Sequence, residues 1–242
     1  MKKALWMFSR TLIVLAAALL LMPLAVAQDQ GNNDRYWVGT WTTSPQVATN
    51  DFFGPAIQEV DGATLRQIVH ISIGGDTASV RFSNEMGEAP LKIGAARIAL
   101  SAGGGSIVPG TSRELTFGGM PSITIPPGAP AISDPVSLPL PPLGDVAISI
   151  YLPDPTPTST FHLTGMQTTY LSAYGDFTDE VSFPVSMTSI NYYFLTGVSV
   201  LAPKRYEAVV AFGDSITDGL ASTVDANRRW PDILAARLQS RP

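Results

Sequence analysis

Ser215 stands in Gly213-Asp214-Ser215-Ile216-Thr217-Asp218-Gly219, a glycine-flanked turn placed directly after the apolar run Val209-Val210-Ala211-Phe212. A serine on a tight turn just past a buried strand suits nucleophilic attack. The turn exposes its oxygen, and nearby backbone N–H groups can stabilise an oxyanion. Three other uses of the same residues fail on residue type. A phosphate-binding loop needs Lys and then Ser or Thr after its last glycine, but Leu220-Ala221 follow Gly219. A calcium loop starting at Asp214 puts Ile216, which has no side-chain oxygen, at its third ligand position. The strand-to-helix elbow of α/β-hydrolases needs a second glycine where Thr217 stands. Within the turn, Gly213 is turn support, and Asp214 is open to two roles, as a site residue or as an acceptor of backbone N–H groups.

A serine nucleophile needs a base within hydrogen-bond reach and a third group to orient that base. The chain has two histidines, and neither fits from sequence. His70 shares a strand face with Arg66 and Ser72, which reads as a polar face. His162, in Phe161-His162-Leu163, has no acidic neighbour within four residues. Arg228 and Arg229 could meet a carboxylate or an acyl-sugar oxygen but read more simply as a solvated loop. Trp37 and Trp41, four apart in an extended segment, are predicted on one strand face, where packing outweighs sugar stacking. Tyr192-Tyr193-Phe194 reads as a core strand.

The elements that must position these groups divide into two kinds. Between Asp34 and Arg205 helical periodicity is nearly absent. Short β-rich runs follow one another instead, over 65–73, 77–83, 91–100, 146–152 and 192–201, separated by Gly and Pro clusters. Gly74-Gly75-Asp76 is predicted to be a hairpin turn. Residues 121–157 hold 11 of the 20 prolines, which predicts edge strands and surface connections there rather than central strands. This pattern predicts an antiparallel sandwich or jelly roll over 28–205. From Tyr206 the pattern changes. Val209–Phe212 lacks alternation, as a strand buried on both faces of a parallel sheet does. Trp230-Pro231-Asp232 then opens a helix, with Pro231 at its first position, Asp232 at the positive end of its dipole and Ile233, Leu234 and Leu238 as its buried stripe. Strand, turn and helix make the first unit of an α/β fold over 206–242. One such strand cannot complete a sheet alone, so this tail is expected to expose apolar surface.

Composition bounds the rest. Lys2, Lys3 and Arg10 precede the apolar run 12–21, and Ala25-Val26-Ala27 offers a small-x-small cleavage site, so residues 1–27 read as a signal peptide and the mature chain as secreted or periplasmic. As far as Ala27 the run is marginal for a membrane span and Pro23 breaks it, so no integral span is expected after cleavage, with an uncleaved anchor as the alternative. The remaining 215 residues carry 12 Lys+Arg against 20 Asp+Glu, and that acidity argues against nucleic-acid or anionic-membrane partners. The absence of cysteine excludes disulfides, thiolate metal sites and a cysteine nucleophile. Nothing in the chain sets its oligomeric state.

The stretch 208–219, AVVAFGDSITDG, resembles the first sequence block of the SGNH (GDSL) hydrolases, whose nucleophile is the serine of that block. Ser222-Thr223-Val224-Asp225 with Asn227-Arg228-Arg229-Trp230-Pro231-Asp232 is similar to a subset of that family. So are Trp37-Val38-Gly39-Thr40-Trp41-Thr42-Thr43-Ser44-Pro45, Leu65-Arg66-Gln67 and Arg81-Phe82-Ser83-Asn84. The subset carries a β-rich domain ahead of a flavodoxin-like hydrolase domain and includes proteins similar to acetylxylan esterases. The resemblance implies a serine esterase acting on O-acyl groups of a carbohydrate, with Ser215 as nucleophile, its own N–H in the oxyanion hole, and no metal or organic cofactor. Two alternatives stay open. One is a lipase or acylhydrolase acting on lipid esters; the other is a carbohydrate-binding β-domain with a vestigial hydrolase start. The family's further oxyanion Gly and Asn and its Asp-x-x-His block have no counterpart among the 27 residues after Ser215. The chain therefore reads as the N-terminal part of a longer enzyme, inactive alone.

Overall fold

The computed structural model describes residues 34–49 and 54–240. The signal-peptide reading falls outside them. Two antiparallel sheets dominate. In the first, Arg35–Thr42 lies beside Leu195–Pro203, which pairs with Gly75–Ser83; the far edge of Gly75–Ser83 is taken by Pro130–Ile132 and Val136–Leu140. In the second, the order is Val185–Ser189, Thr169–Tyr174, Ala63–His70, Asp145–Leu152, Ala95–Gly103, with Ser106–Ile107 and Arg113–Glu114 on the last of these. The antiparallel sheet curls into a half-barrel. Alternate residues of both sheets, including Val38, Leu65, Val69, Val80, Phe82, Ile98, Ile148 and Val198, meet in one apolar cluster. The described residues from Tyr36 onward form one compact unit.

Burial on both faces marks the middle of the second sheet, where every residue of Ala63–His70 except His70 is buried. One face looks into the main core. The other is covered by the loops around 105 and 177–183, and there the strand residues Ile68, Ala99, Ile107, Ala147 and Tyr170 form a smaller cluster with Phe183. The predicted polar face through Arg66 is thus an interior one. Arg66 is wholly buried. Its Nε donates to Ser149 Oγ at 2.8 Å, Nη1 to the carbonyls of Gly105 and Glu180, and Nη2 to those of Phe177 and Thr178. Its guanidinium also lies 4.6 Å from the ring centre of Phe183. Burial lowers the guanidinium's pKa to about 10, with Asp179 and Glu180 pulling the other way, so it stays charged at neutral pH.

Next to it, Gln67 uses both ends of its amide as a substitute ladder. It donates to the carbonyl of Tyr193 at 2.9 Å and accepts the Tyr193 N–H at 2.7 Å. Asn84 likewise ties the carbonyls of Ala89 and Ile125 together. Buried amides and guanidinia are tolerated only when their hydrogen bonds are made, and no buried side-chain nitrogen or oxygen among the described residues lacks a partner.

Four sequence expectations need correction. Gly74-Gly75-Asp76 does not close a hairpin, because Ala63–His70 and Gly75–Ser83 belong to different sheets. The chain turns a corner there, and Gly74 is needed for close approach: a Cβ on it would sit 2.2 Å from the carbonyl oxygen of Leu140. The proline-rich span does contain a central strand. Asp145–Leu152 has no proline and pairs on both edges, while the prolines flank it and lie in the short strands Pro130–Ile132 and Val136–Leu140. Trp37 and Trp41 do not share an environment. Alternation breaks where Thr40 and Trp41 are both buried, so Trp41 packs edge-on against Tyr192 at 4.8 Å while Trp37 is exposed. The fourth correction concerns the tail: 207–213 adopts no strand, and Val209, Val210 and Phe212 lie exposed, Phe212 at 98 %.

Candidate functional site around Ser215

Ser215 begins a single helical turn, Ser215–Asp218. Asp214 caps it from extended backbone, its carboxylate accepting the Ile216 N–H at 3.0 Å. At the other end Gly219 adopts φ +92° and donates to the carbonyls of Ser215 and Ile216. That left-handed conformation suits glycine, and a Cβ there would also press on the Arg229 side chain, 2.6 Å from its Cγ. Gly213 has a packing role of its own, since a Cβ on it would lie 2.2 Å from Thr217 Oγ1. Ser215 itself is exposed, and no described residue hydrogen-bonds its Oγ. Its backbone N–H belongs to the first-turn donors that a helix cannot satisfy internally.

The turn is tied to the β-structure on one side. His162 Nε2 lies 3.1 Å from both carboxylate oxygens of Asp218, and its Nδ1 lies 2.8 Å from the carbonyl oxygen of Ser44. Below the turn the chain is held by the same loop. The Thr168 N–H and hydroxyl donate to the two oxygens of Asp225, each at 2.6 Å. The Asp225 N–H donates to the Met166 carbonyl, Gln167 donates to Asn227, and Asn227 donates to Asp145 at 3.0 Å. Arg229 donates to the Gly165 carbonyl at 3.1 Å and pairs with Asp232, whose carboxylate also accepts the Arg229 N–H. Asp145 is shared with His70, whose Nδ1 lies 2.7 Å from it.

The helix Trp230–Gln239 forms as predicted in position but not in packing. Pro231 occupies its second rather than first residue, and Asp232 closes a capping box with Arg229. None of its residues is buried; of the predicted apolar stripe Leu234 is half-buried, while Ile233 and Leu238 are exposed among the described residues. Trp230 instead donates its indole N–H to the Thr217 carbonyl at 2.8 Å, bracing the Ser215 turn.

Gly213, Asp214 and Ser215 lie in one turn, but the residues that hold that turn have no local signal in the sequence. His162 was set aside for want of a nearby acid; its carboxylate partner is 56 positions away, and Arg229, expected in a solvated loop, is docked on Gly165. Among the described residues no group of three or more acidic or histidine side chains is arranged to hold a metal ion, and no helix is long and apolar enough to cross a membrane. An open groove of about 200 Å³ lies elsewhere, between Arg97, Glu114, Asp176 and Asp179, with no lining residue from 206–240.

The exposed run has a measurable consequence. Val209, Val210 and Phe212 form an unpaired, uncharged, β-prone segment of the kind that joins chains edge to edge. The double variant Val210→Lys, Phe212→Ser is expected to lower light scattering of the concentrated 242-residue chain several-fold while leaving its thermal midpoint within about 2 °C. Unchanged scattering would place the sticky surface elsewhere.

No family model matches the chain, and no curated protein matches it.

Proposed function

We propose that the chain carries the nucleophile of a secreted serine esterase, with Ser215 attacking the acyl carbonyl of an ester, in first place an O-acyl group on a carbohydrate. The observation that carries this reading is the geometry of the turn: an exposed serine whose hydroxyl is uncommitted, on a helical turn capped at both ends by Asp214 and Gly219. The resemblance to the SGNH block supplies the chemistry. Ser215 Oγ adds to the carbonyl carbon as a general base takes its proton. The Ser215 N–H stabilises the oxyanion, the alcohol leaves with a proton returned by the base, and water then hydrolyses the acyl-serine. The base and its orienting acid are the groups that the resemblance assigns to an Asp-x-x-His block.

A second reading, a carbohydrate-binding β-domain without turnover, is favoured by one observation. Both described histidines are committed to other partners, His70 to Asp145 and His162 to Asp218 and Ser44. The experiment that separates the readings uses a fluorophosphonate probe and mass spectrometry. The native gene product is expected to gain one adduct at Ser215, and the 242-residue chain to react far more slowly, since a serine without its base is a weak nucleophile. Binding to insoluble xylan with no adduct in the native product favours the second reading.

A further inference from the structure

Resting on the reading of Ser215 as nucleophile, we propose that His162 is the positioning residue of the Ser215 turn, so that the β-rich domain sets the geometry of the hydrolytic serine. Beyond the packing of Gly219 against Arg229, the turn has few ties from outside. A four-residue helix is far below the length at which a helix is stable by itself. The chain leading into it, 207–213, is unpaired and exposed. Its two caps come from within the turn, and the Trp230 indole that braces it from outside comes from a helix with no buried residue. Among the described residues, the one hydrogen-bonded tie from residues 213–219 to the β-structure runs from Asp218 to His162.

His162 is built to be the fixed end of that tie. It closes the short strand Thr160–His162, its side chain is about 10 % exposed, and its ring lies 6.5 Å from that of the fully buried Tyr192, the two planes inclined at 29°. The carbonyl of Ser44 holds it from behind through Nδ1. Each ring nitrogen thus meets an oxygen, Ser44's carbonyl on one side and the Asp218 carboxylate on the other. Asp218, at the other end of the contact, lies three residues after Ser215 and on the same helical turn. Its N–H donates to the Asp214 carbonyl, the residue whose side chain caps the turn. A displacement of the Asp218 carboxylate therefore rotates the turn that carries Ser215. The downstream ties through Asp225, Asn227 and Arg229 all land on residues 165–168 or on Asp145, and they fix where the chain goes after the turn rather than the turn itself.

The test has two arms. In the 242-residue chain, amide hydrogen exchange is measured for Asp218, Gly219 and Leu220, whose N–H groups all close the turn. His162→Ala is expected to speed their exchange about tenfold, as loss of one charge-assisted hydrogen bond does. The Tyr193 amide, held by Gln67 in the core, should be unaffected. His162→Gln, which keeps a donor, should recover part of the protection, and Asp218→Ala, which leaves the β-domain intact, should match His162→Ala. Should His162→Ala prevent folding, Asp218→Ala alone carries this arm. Unchanged exchange at the turn in the folded variants overturns the proposal. In the native gene product, His162→Ala is expected to lower kcat for p-nitrophenyl acetate 10- to 100-fold with KM little changed, and His162→Gln to restore part of it. An unchanged kcat also overturns it. If exchange responds as expected but Ser215→Ala leaves hydrolysis intact, the esterase reading fails while the role of His162 in holding the turn stands.

Discussion

Replacing Ser215 by alanine in the native gene product is expected to lower kcat for p-nitrophenyl acetate by about 10⁴-fold or more, the loss that follows removal of a nucleophile acting with its base as a unit. KM should change little, because the hydroxyl contributes to the transition state and not to holding the substrate. Steady-state kinetics with active-site titration of the wild type is the measurement. Folding should not be affected, since Ser215 is exposed and its side chain bonds to no described residue. A variant with near-normal turnover would remove Ser215 from the mechanism and leave the turn with a purely structural role.

The second large effect is on stability. Arg66→Met is expected to cost about 3–5 kcal/mol, measured as a drop in the urea midpoint at unchanged slope. The apolar stem of methionine fills much of the space, but the carbonyls of Gly105, Phe177, Thr178 and Glu180 and the hydroxyl of Ser149 lose their shared donor inside the protein. Arg66→Lys should lose nearly as much. One ammonium cannot reproduce a planar fork that reaches two separate loops and still donates to Ser149. Because those loops cover the outer face of the second sheet, the variant should also become open to protease around 175–183 before it unfolds globally. A midpoint within about 0.5 kcal/mol of wild type would mean that water replaces the guanidinium without loss.

Part of the strand pattern was legible because alternation and turn residues are local signals, whereas Thr169–Tyr174 and Val185–Ser189 had no such signal. The runs at 65–73, 77–83, 91–100, 146–152 and 192–201 each overlap an observed strand. What the sequence could not show is which strands face each other. Arg66 looked like surface because arginine rarely lies inside, and only the carbonyls brought up from 105 and 177–180 make its burial possible. The glycine pair at 74–75 looked like a hairpin because the local chemistry of a hairpin and of a corner between sheets is the same. Val209–Phe212 has the composition of a buried strand, but composition does not supply neighbours. The turn at Ser215 was readable because its caps are encoded within seven residues, whereas the His162–Asp218 contact spans 56 positions and has no local trace.

The first sheet places the strand nearest the start of the described chain, Arg35–Thr42, beside the last long one, Leu195–Pro203, which in turn covers Gly75–Ser83. Sheet closure therefore waits for nearly the whole β-region to be available, and the bond between Gln67 and Tyr193 spans 126 positions. Chains dominated by such distant pairings fold in roughly milliseconds to seconds rather than microseconds. During synthesis, Gly75–Ser83 must stay unpartnered along one edge until residue 203 emerges. A nascent chain stalled anywhere before that point offers an open, apolar strand to its neighbours, so pauses in translation before codon 203 should produce aggregates where pauses after it do not.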